Sequence, residues 1–136
     1  HKTTDMNTYH ENNYATYSLL LGIVYVYYKK DVVIDLEAAK EIVRDRLQFQ
    51  DGRSYPVLCD ITDVHYVAYE ARTYLAFYGS QLTEHVALVC RQIGNYRMAE
   101  FFIGTDQPLQ ETQLFTNEAA ALEFLETLKK KNNDLS

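Results

Sequence analysis

The chain has 136 residues, with 19 acidic and 13 basic side chains, 4 His, 2 Cys, 2 Met, 12 Tyr and no Trp. That length supports one hydrophobic core and leaves too little chain for two. A formal charge of −6 argues against nucleic-acid binding, whose affinity comes largely from Lys and Arg neutralising phosphates. Two cysteines make no disulfide framework, and the absence of a C-x-x-C pair argues against zinc or thiol redox chemistry. The longest apolar run, residues 19–28, is about half a membrane span, and no signal-peptide pattern is visible.

Residues 1–12 are polar and predict a disordered lead-in, part of it foreign to the native chain if Met6 is the true start. The domain proper is expected over 13–131, with 132–136 a loose tail. Residues 14–20 and 23–28 are rich in β-branched and aromatic side chains, and predict an antiparallel hairpin punctuated by Gly22. Leu19-Leu20-Leu21 is read as core in preference to an exposed hairpin tip. After the polar break Lys29-Lys30-Asp31, Asp35 caps a helix with Leu36, Ala39, Val43 and Leu47 on its inner face. Glu37 lies early in that helix and Arg44 and Arg46 late, matching its dipole. Asp51-Gly52 ends it as a turn.

Val57-Leu58-Cys59-Asp60-Ile61 predicts a buried strand, followed by a loop over 62–66 and a helix with Val67, Ala71, Leu75 and Tyr78 on one face, ended by Gly79. Val86-Ala87-Leu88-Val89-Cys90 lacks polar alternation, as expected of a strand flanked by helices on both faces. Gly94-Asn95 opens a short helix through Phe102, with Gly104 as its C-terminal cap. Residues 108–115 are extended, an edge strand. Thr116 or Asn117 caps the last helix, with Leu122, Leu125 and Leu128 inward and the lysines 129–131 on its final turn. Strands alternating with helices define an α/β fold, a single mostly parallel sheet made mixed by the N-terminal hairpin.

No residue pattern carries recognisable chemistry. His65 and His85 share no metal-ligand spacing, and Cys59 and Cys90 sit mid-strand as small hydrophobes. Gly94-Asn95, with Arg91 and Arg97 nearby, could offer backbone N–H groups to an anion, though a plain turn and cap explains it. Asp60, Asp63 and Glu70 lie where α/β sites form, at the carboxyl end of a strand, but acids there also end strands and cap helices.

The order of elements resembles the STAS (SpoIIAA-like) domain, the fold of anti-sigma factor antagonists, and small bacterial SpoIIAA-like proteins in particular. The carrying stretches are Gly22-Ile23-Val24-Tyr25-Val26, Val57-Leu58-Cys59-Asp60-Ile61, Glu70-Ala71-Arg72, Ala87-Leu88-Val89 and Leu114-Phe115-Thr116-Asn117-Glu118, spanning about residues 14–128. In those antagonists the third strand leads to an Asp-Ser-Ser-Gly motif whose Ser is phosphorylated. The aligned stretch here, Val67-Ala68-Tyr69-Glu70-Ala71, has neither Ser nor Thr, and Thr62 and Thr73 lie outside it.

The resemblance therefore implies a cytoplasmic, non-enzymatic interaction or regulatory module without that switch, in which Glu70 stands as a fixed negative charge. Its expected working surface is the 62–72 loop and helix start with 91–97 beside it. Asp63, Tyr66, Tyr69, Glu70, Arg72, Arg91, Asn95 and Arg97 would bind a protein partner or a ligand, Tyr and Arg being frequent binding hot spots. No cofactor and no metal are expected. The alternative is a small-ligand or lipid-binding protein with the layering of Sec14-like proteins, recognisable by a deep apolar pocket near Tyr66, Tyr74 and Phe77. An enzyme would need Asp60, Asp63 and His65 to converge on a cleft. The free edge of the hairpin could also pair across a two-fold axis into a homodimer.

Overall fold

A computed structural model describes residues 8–135, with side chains over 8–131. The elements in chain order are β1 (Tyr9–Glu11), β2 (Ala15–Leu20), β3 (Ile23–Tyr28), β4 (Val32–Ile34), α1 (Leu36–Gln50), β5 (Tyr55–Asp60), β6 (Val64–Val67) and α2 (Tyr69–Tyr78). Then come β7 (Thr83–Val89), α3 (Ile93–Phe101), a π-helical turn (Phe102–Asp106), β8 (Thr112–Phe115) and α4 (Glu118–Leu135). Six strands form one sheet in the order β1-β2-β3-β5-β7-β8. The first three are antiparallel and the rest parallel, which is the mixed α/β sheet with an N-terminal hairpin that the sequence predicts.

Both faces of the central strands are covered, which is why β3 is buried without alternation from Ile23 to Val26. Val24 and Val26 pack with Tyr17, Phe49 and Val57 on one side. Ile23 and Tyr25 pack on the other with Leu58, Ala87, Val89 and the α4 residues Ala121 and Leu125. A third cluster, including Ile34, Ala39, Ile42, Ile61, Ala71, Leu88 and Cys90, fills the space between the sheet and α1–α3. Two expected caps are in place: Asp35 Oδ1 accepts from the Ala38 N–H at 2.9 Å, and Asn117 Oδ1 accepts from that of Ala120 at 2.8 Å.

Several local expectations are corrected. The 62–66 loop is largely strand: β6 pairs in parallel with β4 in a second, two-stranded sheet, so Val67 belongs to β6 and α2 begins at Tyr69. Alternation over such short segments is too brief to announce a strand. Within 1–12, residues 1–7 lie outside the described residues, but Tyr9–Glu11 is a strand paired to β2. Asn12 is tied down as well, donating to Asp45 Oδ2 at 2.9 Å and accepting from the Tyr14 and Ala15 N–H groups. The hairpin edge expected to be free at β2 is therefore covered by β1.

Leu21 (φ 51°) and Gly22 (φ 79°) form the hairpin loop, both left-handed as a two-residue type I′ turn requires. Leu20 and Leu21 are 58% and 79% exposed at its tip, so the Leu19-Leu20-Leu21 run is not core beyond Leu19. Gly104 lies inside the π-helical turn, and Gln107 (φ 53°) ends it. The tail expected over 132–136 is helical through Leu135, placing the lysines 129–131 a turn before the helix end.

Candidate functional site

Between the sheet and α1–α2 lies an apolar chamber of about 120 Å³. Strand register builds one wall: Val26 stands opposite Cys59, and Cys59 opposite Leu88, all on the same face of β3, β5 and β7. Ile42 of α1 and Leu75 of α2 line it from the helical side. The half-buried lining residues Arg72, Leu75, Ser80, Phe102 and Pro108 lie where α2 meets the 102–112 segment.

One charged side chain reaches this chamber from α1. Arg46, expected late in the helix to match its dipole, is only 5% exposed. It lies on the helix face of Ala39, Ile42 and Val43 because three or four residues complete a turn. Its Nη2 donates to the carbonyls of Gly79 at 3.0 Å and Gln81 at 2.9 Å, and its Nη1 donates to Gln50 Oε1. Gln50 Nε2 in turn donates to the carbonyls of Arg53 and Leu82. The pair thereby fastens α1 to the turn between α2 and β7.

Of the five guanidinium N–H groups, the one on Nε and one on Nη1 have no acceptor among the described residues. No carboxylate among those residues pairs with Arg46. Neighbouring Asp45 is engaged by Asn12, His10 and Arg44. The ionisable groups that do face Arg46 are Cys59, Tyr28 and Tyr17. Burial pushes the Cys59 thiol up to about 11, Tyr28 well above its ordinary value and Tyr17 above its own. All three are neutral at pH 7, and burial lowers Arg46 from its usual value.

The residues expected to form a working surface divide into two groups. Arg72 donates through Nε to Asp106 Oδ2 at 3.0 Å and stacks over the rings of Tyr69 at 5.6 Å and Phe101 at 5.2 Å. Tyr66 is exposed opposite Val33 in the β4–β6 ladder. Asp63, Glu70 and Arg97 are exposed. Arg91 and Asn95 instead hold the loop after β5. Arg91 Nη1 donates at 3.0 Å to Asp60 Oδ2, while Asp60 Oδ1 accepts from the Thr62 N–H. Asn95 Nδ2 lies 3.2, 2.9 and 2.6 Å from the carbonyls of Ile61, Thr62 and Val64. These contacts hold the loop, while the Arg91 side chain stays half exposed.

Asp60, Asp63 and His65 do not converge: the first is buried in its pair with Arg91, and the other two are exposed. Among the described residues no three His, Cys, Asp or Glu side chains are grouped to hold a metal. The chamber is not the pocket expected at Tyr66, Tyr74 and Phe77. Tyr66 and Phe77 are exposed, and Tyr74 packs on Tyr78 at 4.5 Å between ring centres. Arg46 was legible in principle, as a cation at the helical spacing of a core face.

This sheet order, with the hairpin at one end and parallel strands crossing through helices, defines a SpoIIAA-like module. A crystal structure of an uncharacterized protein of the DUF3478 family from Shewanella loihica PV-4, described as having a SpoIIAA-like fold, matches with a TM-score of 0.50. The match covers 86% of this chain and 90% of that one at 15% identity, a likeness of fold alone. Residues 17–129 match the family model DUF7793, a domain of unknown function, and the chain belongs to that family. No curated protein matches it. Among the described residues no helix is long and apolar enough to cross a membrane.

Proposed function

We propose that this chain is a non-enzymatic regulatory module that takes a small, largely apolar molecule into the chamber between its sheet and α1–α2. The chamber of about 120 Å³ carries this reading. Protein interiors pack to crystal density with few voids larger than a water, so the side chains lining this partly open apolar space lack contacts on one side. A molecule that fills it recovers those contacts. A dry cavity of about 150 Å³ holds benzene, so the fitting ligand is a compact ring or a short branched chain. A long-chain lipid is too large to be enclosed in it, so the proposal takes the small-molecule form of the ligand alternative.

Partner recognition at the 62–72 end is a second reading, favoured by one arrangement. Arg72 lines the chamber and also stacks on the exposed ring of Tyr69, so occupancy inside bears on a surface contact outside. A cytoplasmic setting goes with this proposal, Cys59 and Cys90 both being free thiols of the kind a reducing compartment keeps.

Titration with benzyl alcohol, followed by methyl and amide NMR shifts, tests the chamber. Shifts at Val26, Leu75, Val86 and Leu88 that disappear in Val86→Phe, with circular dichroism unchanged, are expected. Shifts scattered over the surface, or none, contradict the reading. The surface is tested by whether a protein co-purifying with the wild type is lost on Tyr69→Ala.

A further inference from the structure

Resting on that reading, we infer that the molecule received is a small monocarboxylate, an aromatic or short branched acid whose carboxylate meets the Arg46 guanidinium at the chamber wall. The first argument is charge. Arg46 is buried, lines the chamber and pairs with no carboxylate among the described residues. A desolvated cation without a counter-ion is costly. The groups facing it, Cys59, Tyr28 and Tyr17, are neutral at pH 7, and Arg72, the other cation lining the chamber, is paired with Asp106, so one positive charge of the lining is left uncompensated. A monoanion cancels it, whereas a dianion such as a phosphate monoester leaves an uncompensated negative charge among Val, Leu and Ile.

The second argument is donor capacity. Three of the guanidinium N–H groups are committed to Gln50, Gly79 and Gln81, and these bonds fix the group in place. The two that remain have no acceptor among the described residues, and a hydrogen bond from a cation to a carboxylate is roughly twice as strong as a neutral one. Tyr28 lines the same space, and its hydroxyl, without a hydrogen-bond partner among the described residues, is a further neutral donor. The third argument is size. With about 120 Å³ available, the acid must be compact, on the scale of benzoate.

Calorimetric titration of the wild-type chain with benzoate, benzyl alcohol and benzylamine at pH 7.5 separates the inference from the reading beneath it. The three probes share a ring and differ in head-group charge. Benzoate is expected to bind at least about tenfold more tightly than benzyl alcohol, and benzylamine more weakly than either. In Arg46→Gln the preference for benzoate is expected to vanish while benzyl alcohol still binds. Should that variant not fold, the wild-type comparison decides alone. Equal affinity for benzoate and benzyl alcohol overturns the carboxylate inference and leaves the chamber reading standing. Failure of all three to bind overturns both.

Discussion

Arg46 and Cys59 face one chamber from its opposite walls, Arg46 on α1 and Cys59 on β5, and only Arg46 is charged at neutral pH. A thiolate at Cys59 would neutralise the guanidinium, yet burial among Val, Leu and Ile holds the thiol protonated to about 11. Desolvation outweighs the attraction of the neighbouring cation. With Arg72 paired to Asp106, Arg46 is the charge of the chamber lining left without a carboxylate among the described residues.

That raised thiol gives a stability prediction with a definite sign. The folded thiol titrates near 11 and the ordinary one near 9.0. Its contribution is fully present below about pH 9 and is lost as the pH rises toward 11, because the unfolded chain releases its proton first. Urea midpoints measured from pH 8 to 11 are expected to fall less steeply in Cys59→Val than in the wild type. Parallel slopes would show that the thiol is not desolvated.

Replacing Arg46 by Leu leaves the Gly79 and Gln81 carbonyls without their donor. Unsatisfied buried acceptors cost about 1–3 kcal/mol each, while removing a desolvated cation offsets part of that. The net expected loss is about 2 kcal/mol in urea unfolding. A more stable variant would mean that cation burial outweighs the clamp.

Asn95 and Arg97 sit two residues apart and separate scaffold from surface. Asn95→Ala removes the tether to three loop carbonyls and is expected to lower stability by about 1–3 kcal/mol. Arg97→Ala, at an exposed position, is expected to stay within about 0.5 kcal/mol of the wild type. Thermal melts of the two side by side check this, and equal losses would contradict it.

At the hairpin tip, Leu21 adopts a left-handed conformation that costs an ordinary residue roughly 1–2 kcal/mol. It is also 79% exposed, so its side chain adds little burial. Leu21→Asn creates the Asn-Gly pair that type I′ turns favour. The melting temperature is expected to rise, by the equivalent of about 0.5–1 kcal/mol. A lower one would show that Leu21 is covered in solution.

Much of the fold was legible because its long elements follow strong periodicities. The apolar runs of β3, β5 and β7 announced a sheet covered on both faces, and Asp35 and Asn117 announced the starts of α1 and α4. The missed pieces were short or depended on distant partners. β1, β4 and β6 have three or four residues each, and nothing local distinguishes Val32–Ile34 from a loop until Val64–Val67 lies beside it.

The candidate site was less legible. Tyr69 and Arg72 do meet, joined by Phe101, which sequence spacing could not bring to them. Asn95 and Arg91 also hold the loop after β5, through carbonyls and an Asp60 that sequence spacing could not bring to them. Arg46 lay in plain view on an apolar helix face, yet its position late in α1 was accounted for by the helix dipole alone. Only the α2–β7 turn, folding over it, shows otherwise.

The central claim is that open space persists among Val26, Cys59, Leu75 and Val86 in the folded protein and admits a small molecule. Diffraction from wild-type crystals held under xenon tests it most directly, because xenon enters dry apolar cavities without needing any particular polar contact. A single strong xenon peak bounded by those four side chains is the predicted result. A chamber closed by its own side chains, with no xenon inside, would contradict the account.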